Sequence, residues 1–138
     1  MSDTKENYVL LIRPVRPADS ATWERMRGDL WPDGLADHGH EIASFFAGAL
    51  DEPTAVLVGE NANGNLIAFV ELSIRTDLPS LVGTRAGYVE GLYVVPDARG
   101  CGVARSLLRA SVDWARQQQC TAFASDRAGR VIIDPRCP

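Results

Sequence analysis

The residues of this chain best placed to do chemistry lie in the run Arg99-Gly100-Cys101-Gly102-Val103-Ala104-Arg105. Two glycines at the start of a helix let backbone N–H groups approach a ligand closely. The helix N-terminus adds unpaired donors and a partial positive charge. Such a loop suits an anion, most simply a phosphate. The same local pattern is equally compatible with a plain strand-to-helix turn. The spacing rules out Gly-x-Gly-x-x-Gly, and no Gly-Lys-Ser/Thr follows, so neither the dinucleotide fingerprint nor the P-loop fits. A second set is the carboxylates Asp33, Glu71, Asp77, Glu90 and Asp126, which fall on predicted strands or in loops. Their alternative readings are solvent-facing strand positions for Glu71 and Glu90, a strand-ending turn for Asp126, and ordinary loop residues for Asp33 and Asp77. Trp31 is either a core anchor between two helices or the wall of a cleft. His38 and His40 read as surface residues, so no metal is expected. No cysteine has a suggestively placed triad partner, which argues against a thiol nucleophile.

The elements that must position these residues follow from hydrophobic period and turn chemistry. Tyr8 to Val15 reads as a first strand. Asp19 or Ser20 caps a helix running to about Leu30, with Trp23, Met26 and Leu30 on one face. Trp31-Pro32-Asp33-Gly34 breaks it, and a second helix is expected over about 37–50. Ala55 to Glu60 and Leu66 to Arg75 are strands joined by Asn61-Ala62-Asn63-Gly64-Asn65, where Asn-Gly is a strong hairpin signal. Gly87 to Val95 is a fourth strand, stopped by Pro96. An amphipathic helix then carries Val103, Leu107, Leu108, Ser111, Trp114 and Ala115, and Cys120 to Ser125 is a fifth strand. Val131-Ile132-Ile133 is a further short strand candidate, ended by Asp134-Pro135.

With 138 residues, 46% hydrophobic and 23% charged, residues 1–138 are expected to form one soluble domain. A net charge of −4 speaks against a nucleic-acid partner and for a cationic one. No apolar run reaches membrane-spanning length, and the polar N-terminus lacks a signal-peptide core. Three cysteines, an odd number with no zinc spacing, point to a reduced, cytoplasmic protein.

Arg99-x-x-Gly102-x-Ala104 directly after a strand ending Val94-Val95-Pro96 resembles the acetyl-CoA motif of the GCN5-related N-acetyltransferases. The order β-α-α-β-β-β-α-β over residues 8–126 is the order of that fold. The resemblance implies an α/β fold: a mixed, mostly antiparallel sheet flanked by helices, open in a V between strands four and five. It implies acetyl-CoA held through Arg99, Gly100, Cys101, Gly102, Val103, Ala104 and Arg105 at the pyrophosphate, and through Leu92, Tyr93, Val94 and Val95 at the pantetheine. The thioester carbonyl would take a backbone N–H from Tyr93 or, preferably, Val94. Leu30-Trp31-Pro32-Asp33, Ser73-Ile74-Arg75, Val89 to Val94 and Ala124-Ser125-Asp126 further resemble the aminoglycoside 6′-N-acetyltransferases. That resemblance implies a polycationic acceptor in an acidic cleft lined by Trp31, Asp33, Glu71, Asp77, Glu90 and Asp126. Glu90 or Asp126 would take the proton of the attacking amine. Residues 127–138 depart from this family's closing helix and hairpin. Two expectations attach to that departure: a homodimer in which a partner copy covers the sheet edge, and, as the alternative function, an aminoglycoside-sequestering protein with little acetyl transfer.

Overall fold

The structure, a computed structural model, describes residues 10–79, 81–127 and 130–133; residues 126, 127 and 130–133 are described by their backbone alone. The element order is β1 (Leu10–Pro14), α1 (Ser20–Leu30), α2 (His38–Phe46), β2 (Ala55–Asn61), β3 (Leu66–Arg75), β4 (Ala86–Val94), α3 (Val103–Gln117), β5 (Ala122–Arg127) and β6 (Arg130–Ile133). Single 3-10 turns at Pro17–Asp19 and Pro96–Ala98 lead into α1 and towards α3. The strands form one sheet in sequence order, and every neighbouring pair is antiparallel except β4 with β5. This matches the predicted order through β5. The tail strand read at Val131–Ile133 is β6, paired with β5 from Ala124↔Ile133 to Arg127↔Arg130. The expected lack of the family's closing helix and hairpin, like the first residues of the predicted first strand, falls outside the described residues.

The sheet is covered on both faces, and β3 shows why. Ala68, Phe69, Val70 and Leu72 have no exposed surface, as the continuous apolar run of a doubly covered strand requires. Val70 and Leu72 meet α3 through Val103, Leu107, Val112 and Ala115. Phe69 turns the other way and meets Trp23 and Met26 of α1 and Ile42 of α2. Deleting a buried side chain such as Leu107 removes about 2–5 kcal/mol. α2 stops at Phe46, short of the predicted end, because Gly48 takes a positive φ of 73° that turns the chain away.

The expected cap of α1 is corrected. The Asp19 carboxylate makes no cap to α1. It accepts the Arg16 N–H at 2.7 Å and pairs with Arg13 at 2.8 Å, whose Nε also donates to Glu60 at 3.0 Å. The cluster ties β1, β2 and the turn before α1 together. The Arg13 hydrogen bond holds the Asp19 carboxyl below its ordinary pKa.

Two features of β4 shape the ground around its C-terminal half. The strand pairs with β5 only from Ala86↔Ala122 to Val89↔Ser125, so residues 90–94 have parted from β5. It also carries one extra residue against β3: Glu71 opposes Gly91 and Leu72 opposes Val89, which leaves Glu90 as a bulge.

Candidate active site

The parting of β4 and β5 opens a hollow of about 320 Å³ lined by Val89, Glu90, Gly91, Leu92, Ala104, Leu108 and Ser125. Ala104 and Leu108 also border a larger hollow of about 700 Å³ at the head of α3. Val94, Ala98, Gly100, Gly102, Val103 and the three cations Arg99, Arg105 and Arg109 line that larger space. Gly100 and Gly102 sit at φ of 78° and 82°, a region that side chains other than glycine enter at a steric cost. Among the described residues, a Cβ built on Gly102 would meet no atom within 4 Å beyond its chain neighbours, so the loop borders open space at the N-terminus of α3. Guanidinium groups, a left-handed glycine and unpaired helix donors form a fitting cradle for a phosphorylated ligand.

The strand end supplies backbone donors. Val95 N–H donates to Ile67 O at 2.9 Å, making Ile67 and Val95 a hydrogen-bonded pair. Such pairs alternate along an antiparallel ladder. Val94, opposite Ala68, therefore turns its N–H and C=O away from β3, and Leu92, opposite Val70, does the same. Arg99 Nε–H meets Val94 O on that side at 2.8 Å. Tyr93 points the other way: its hydroxyl bonds Asp29 Oδ2 at 3.2 Å, and its ring lies 5.5 Å from the Arg99 guanidinium carbon. Burial first, then the Asp29 bond, pushes the Tyr93 phenol above its ordinary pKa. Val94 rather than Tyr93 is thus the donor that faces the opening. The Cys101 thiol lies 3.8 Å from Arg99 O and lines neither hollow.

On the opposite face of β4 lies a third hollow, of about 190 Å³, lined by Arg27, Trp31, Glu52, Pro53, Glu71 and Glu90. Glu90 borders both this space and the parting of the strands, because the bulge gives it an extra place in the ladder. Its Oε2 accepts from Ser73 Oγ in a short bond and from Arg75 Nε and Nη2 at 3.1 and 2.8 Å. Trp31 follows α1 and lies flat enough on β4 that a Cβ on Gly91 would stand 2.6 Å from its ring. The Arg27 guanidinium carbon sits 5.1 Å from the Trp31 ring centroid, and His38 stacks on it at 6.2 Å. Of the two readings of Trp31, the structure supports both: its ring meets Phe69 edge-on and also lines the hollow.

Three expected substrate contacts sit differently from the sequence reading. Glu71 is 2% exposed and is engaged by Trp23 Nε1 at 3.0 Å and Arg27 Nε at 2.8 Å, so it is a buried ion-pair partner at the floor of the hollow. Burial raises its carboxyl pKa even though Arg27 pulls against it. Asp33 is exposed and accepts the Leu35 N–H at 3.0 Å, closing its own turn. Asp77 is exposed beyond the end of β3, where Arg75 already pairs with Ala86 at the start of β4. Neither lines any of the three hollows. Asp126 directly follows Ser125, the last residue of β5 paired with β4, and its backbone pairs with Val131. Its side chain lies outside the described residues. Sequence reasoning missed Arg27, Glu52, Leu108 and Arg109. The last two stand four residues after Ala104 and Arg105, so the helical period already put them on the cradle side; nothing local marked the first two.

The model of the acetyltransferase (GNAT) family matches residues 20–130. An aminoglycoside N(6′)-acetyltransferase type 1 of Klebsiella aerogenes is 45% identical over 117 residues, 84% of this chain and 77% of its own. Its counterpart from Stenotrophomonas maltophilia is 38% identical, over 83% and 73% of the two chains. Among solved structures, an aminoglycoside antibiotic 6′-N-acetyltransferase from Acinetobacter baumannii superposes with a TM-score of 0.75 at 30% identity, covering 87% of this chain and 80% of that one. A structure of AAC(6′)-Iy with a CoA-linked acetylneamine bisubstrate analogue has a TM-score of 0.75 at 27% identity, covering 87% and 80%.

Proposed function

The chain belongs to the acetyltransferase (GNAT) family, and from that premise we propose that it acetylates the 6′-amine of aminoglycoside antibiotics with acetyl-CoA as co-substrate, a reaction that would confer resistance. One observation carries the reading: a cationic hollow and an acidic hollow lie on opposite faces of β4, and the bulged residue Glu90 borders both the acidic hollow and the parting that adjoins the cationic one. An anionic cofactor and a cationic acceptor would thus approach one strand from its two sides.

In this reading Arg99, Arg105 and Arg109, with the amides of Gly100 to Ala104, hold the pyrophosphate. Leu92, Ala104 and Leu108 flank the pantetheine arm, which brings the acetyl thioester to the parting of β4 and β5. The Val94 N–H supports the oxyanion that develops as a neutral amine attacks the carbonyl. The N–C bond forms, the C–S bond breaks, the thiolate of CoA leaves, and the amine loses a proton. Glu90 and Asp126 flank the parting by position and are the groups proposed to orient that amine and receive its proton, directly or through water. Positioning both reactants supplies most of the rate. We place the protein in the cytoplasm and assign the outer β6 edge to contact with a second copy, which light scattering on purified protein would test.

The test of the main reading is direct. Purified protein is mixed with acetyl-CoA and tobramycin while CoA release and product mass are followed. Release of CoA with a product heavier by one acetyl group supports the proposal. Calorimetric binding of tobramycin with no CoA release refutes transfer and supports sequestration.

A further inference from the structure

The third hollow holds three carboxylates that differ in what already engages them. Glu71 is buried and held by Trp23 and Arg27. Glu90 is bound through Oε2 by Ser73 and Arg75, with 22% of its side chain exposed. Glu52, in the segment between α2 and β2, has 44% of its side chain exposed and, among the described residues, one ion pair, Oε1 to Arg75 Nη2 at 3.1 Å. One Arg75 nitrogen therefore links Glu52 to Glu90, two residues that line the hollow, while the guanidinium carbon lies 4.7 Å from the Tyr88 ring centroid. The Glu52–Arg75–Glu90 unit keeps a net charge of −1.

The chemistry of acyl transfer makes that charge selective. The attacking amine must be neutral, so it cannot be what a carboxylate holds by charge during the reaction. Any cation recognised here is another ammonium group of the same acceptor. Resting on the acetyltransferase reading above, we propose that Glu52 is a specificity-determining residue that holds a second ammonium group of a polycationic acceptor, with Arg75 setting its position relative to Glu90. Glu52 has no part in the transfer itself. It favours acceptors with several amines over those with one, and it acts through charge, so salt weakens it.

The experiment compares wild type with Glu52→Gln on two acceptors: tobramycin, and 6-amino-6-deoxyglucose, which carries the reacting amine alone. Glu52→Gln keeps the Arg75 contact as a neutral hydrogen bond and sits at an exposed position, so folding is preserved. KM for tobramycin is expected to rise about three- to fivefold, the size set by a rim ion pair, with kcat unchanged and the effect shrinking in 0.5 M salt, about three times the physiological ionic strength. The single-amine acceptor is expected to show no change. Tobramycin KM equal to wild type, an equal rise for both acceptors, or a loss in kcat would each overturn the proposal. Calorimetry separates it from the parent reading. A wild type that binds tobramycin without turnover ends the catalytic reading, while the two binding constants still decide the role of Glu52. Turnover with identical binding by both proteins ends the Glu52 assignment alone. No binding by wild type ends both.

Discussion

Replacing Gly102 separates backbone strain from occlusion of the cradle, since the structure predicts them to move different observables. Gly102 stands at φ 82°, ψ 9° as the N-cap of α3. An L side chain there costs about 1–2 kcal/mol of stability, which for a chain of this size lowers the melting temperature by about 3–6 °C. Because no described residue beyond its chain neighbours lies within 4 Å of a Cβ at this position, no tertiary clash adds to that cost. The new side chain instead enters the space lined by Arg99, Arg105 and Arg109. Asparagine tolerates the left-handed region and also caps helices, so Gly102→Asn should retain near wild-type stability while filling the cradle. Gly102→Ala should show the reverse balance: most of the strain and the least bulk. Thermal melts and titration with acetyl-CoA read the two effects. Gly102→Asn is expected to bind acetyl-CoA at least tenfold more weakly, a loss of about 1.4 kcal/mol or more, with tobramycin binding unchanged. Wild-type acetyl-CoA affinity in Gly102→Asn would refute the placement of the pyrophosphate. A weaker affinity in Gly102→Ala than in Gly102→Asn would show that strain, not occlusion, governs the site.

Gly91→Ala puts a methyl group 2.6 Å from the Trp31 ring. The indole must shift, and steady-state kinetics should show a raised acceptor KM with acetyl-CoA KM preserved. Glu71→Ala removes the acceptor of Trp23 and one of the two carboxylates on Arg27, which keeps Glu41 at 2.8 Å, and should destabilise by about 1–3 kcal/mol in denaturant melts. The paired replacement Glu71→Leu with Arg27→Met should recover most of that, as buried ion pairs replaced together often do. Asp19 provides a pH test. Its folded-state pKa lies below its unfolded value, so its contribution is present above the unfolded value of about 3.9 and is lost as pH falls through the folded one. Asp19→Asn should therefore cost about 1–2 kcal/mol at pH 7 and progressively less in acid; a gap between the two proteins that stays constant from pH 7 to pH 2 would contradict that linkage.

What the sequence revealed about the site follows a physical divide. The cradle was legible because a positive φ needs glycine and an amphipathic period marks α3, both of which are local demands. The outward turn of the Val94 N–H follows from the ladder alternation, which is legible only once the register is known. The bulge at Glu90 was not legible, since it belongs to the pairing of two strands and neither shows it alone. The burial of Glu71, which excludes the solvent-facing reading, was not legible because its partner Arg27 is 44 residues away in sequence. Asp33 and Asp77 differ from the sequence reading in another way. Each is an acidic loop residue near a relevant segment in sequence, yet the turn at Asp33 and the length of β3 before Asp77 carry them off the hollows. Glu52 carried no local signal, because its link to Glu90 runs through Arg75 and exists only once the segment before β2 lies beside β3 and β4.

The extra residue in β4 governs which parts of the protein tolerate change. Glu90 and Val94 sit on one short piece of chain, so the separation between the bulged carboxylate and the outward-turned backbone donor is set by covalent bonds. It does not depend on closure of a lid or on the pose of two domains. The α1–α2 connection and the segment carrying Glu52 can drift in sequence, and with them the range of acceptors admitted, while the transfer geometry stays put. The same strand is correspondingly intolerant of length changes. Loss of one residue between Val89 and Gly91 would exchange the faces of the Leu92, Tyr93 and Val94 side chains, turning the Val94 N–H into the ladder with β3 and the Tyr93 ring towards the α3 side.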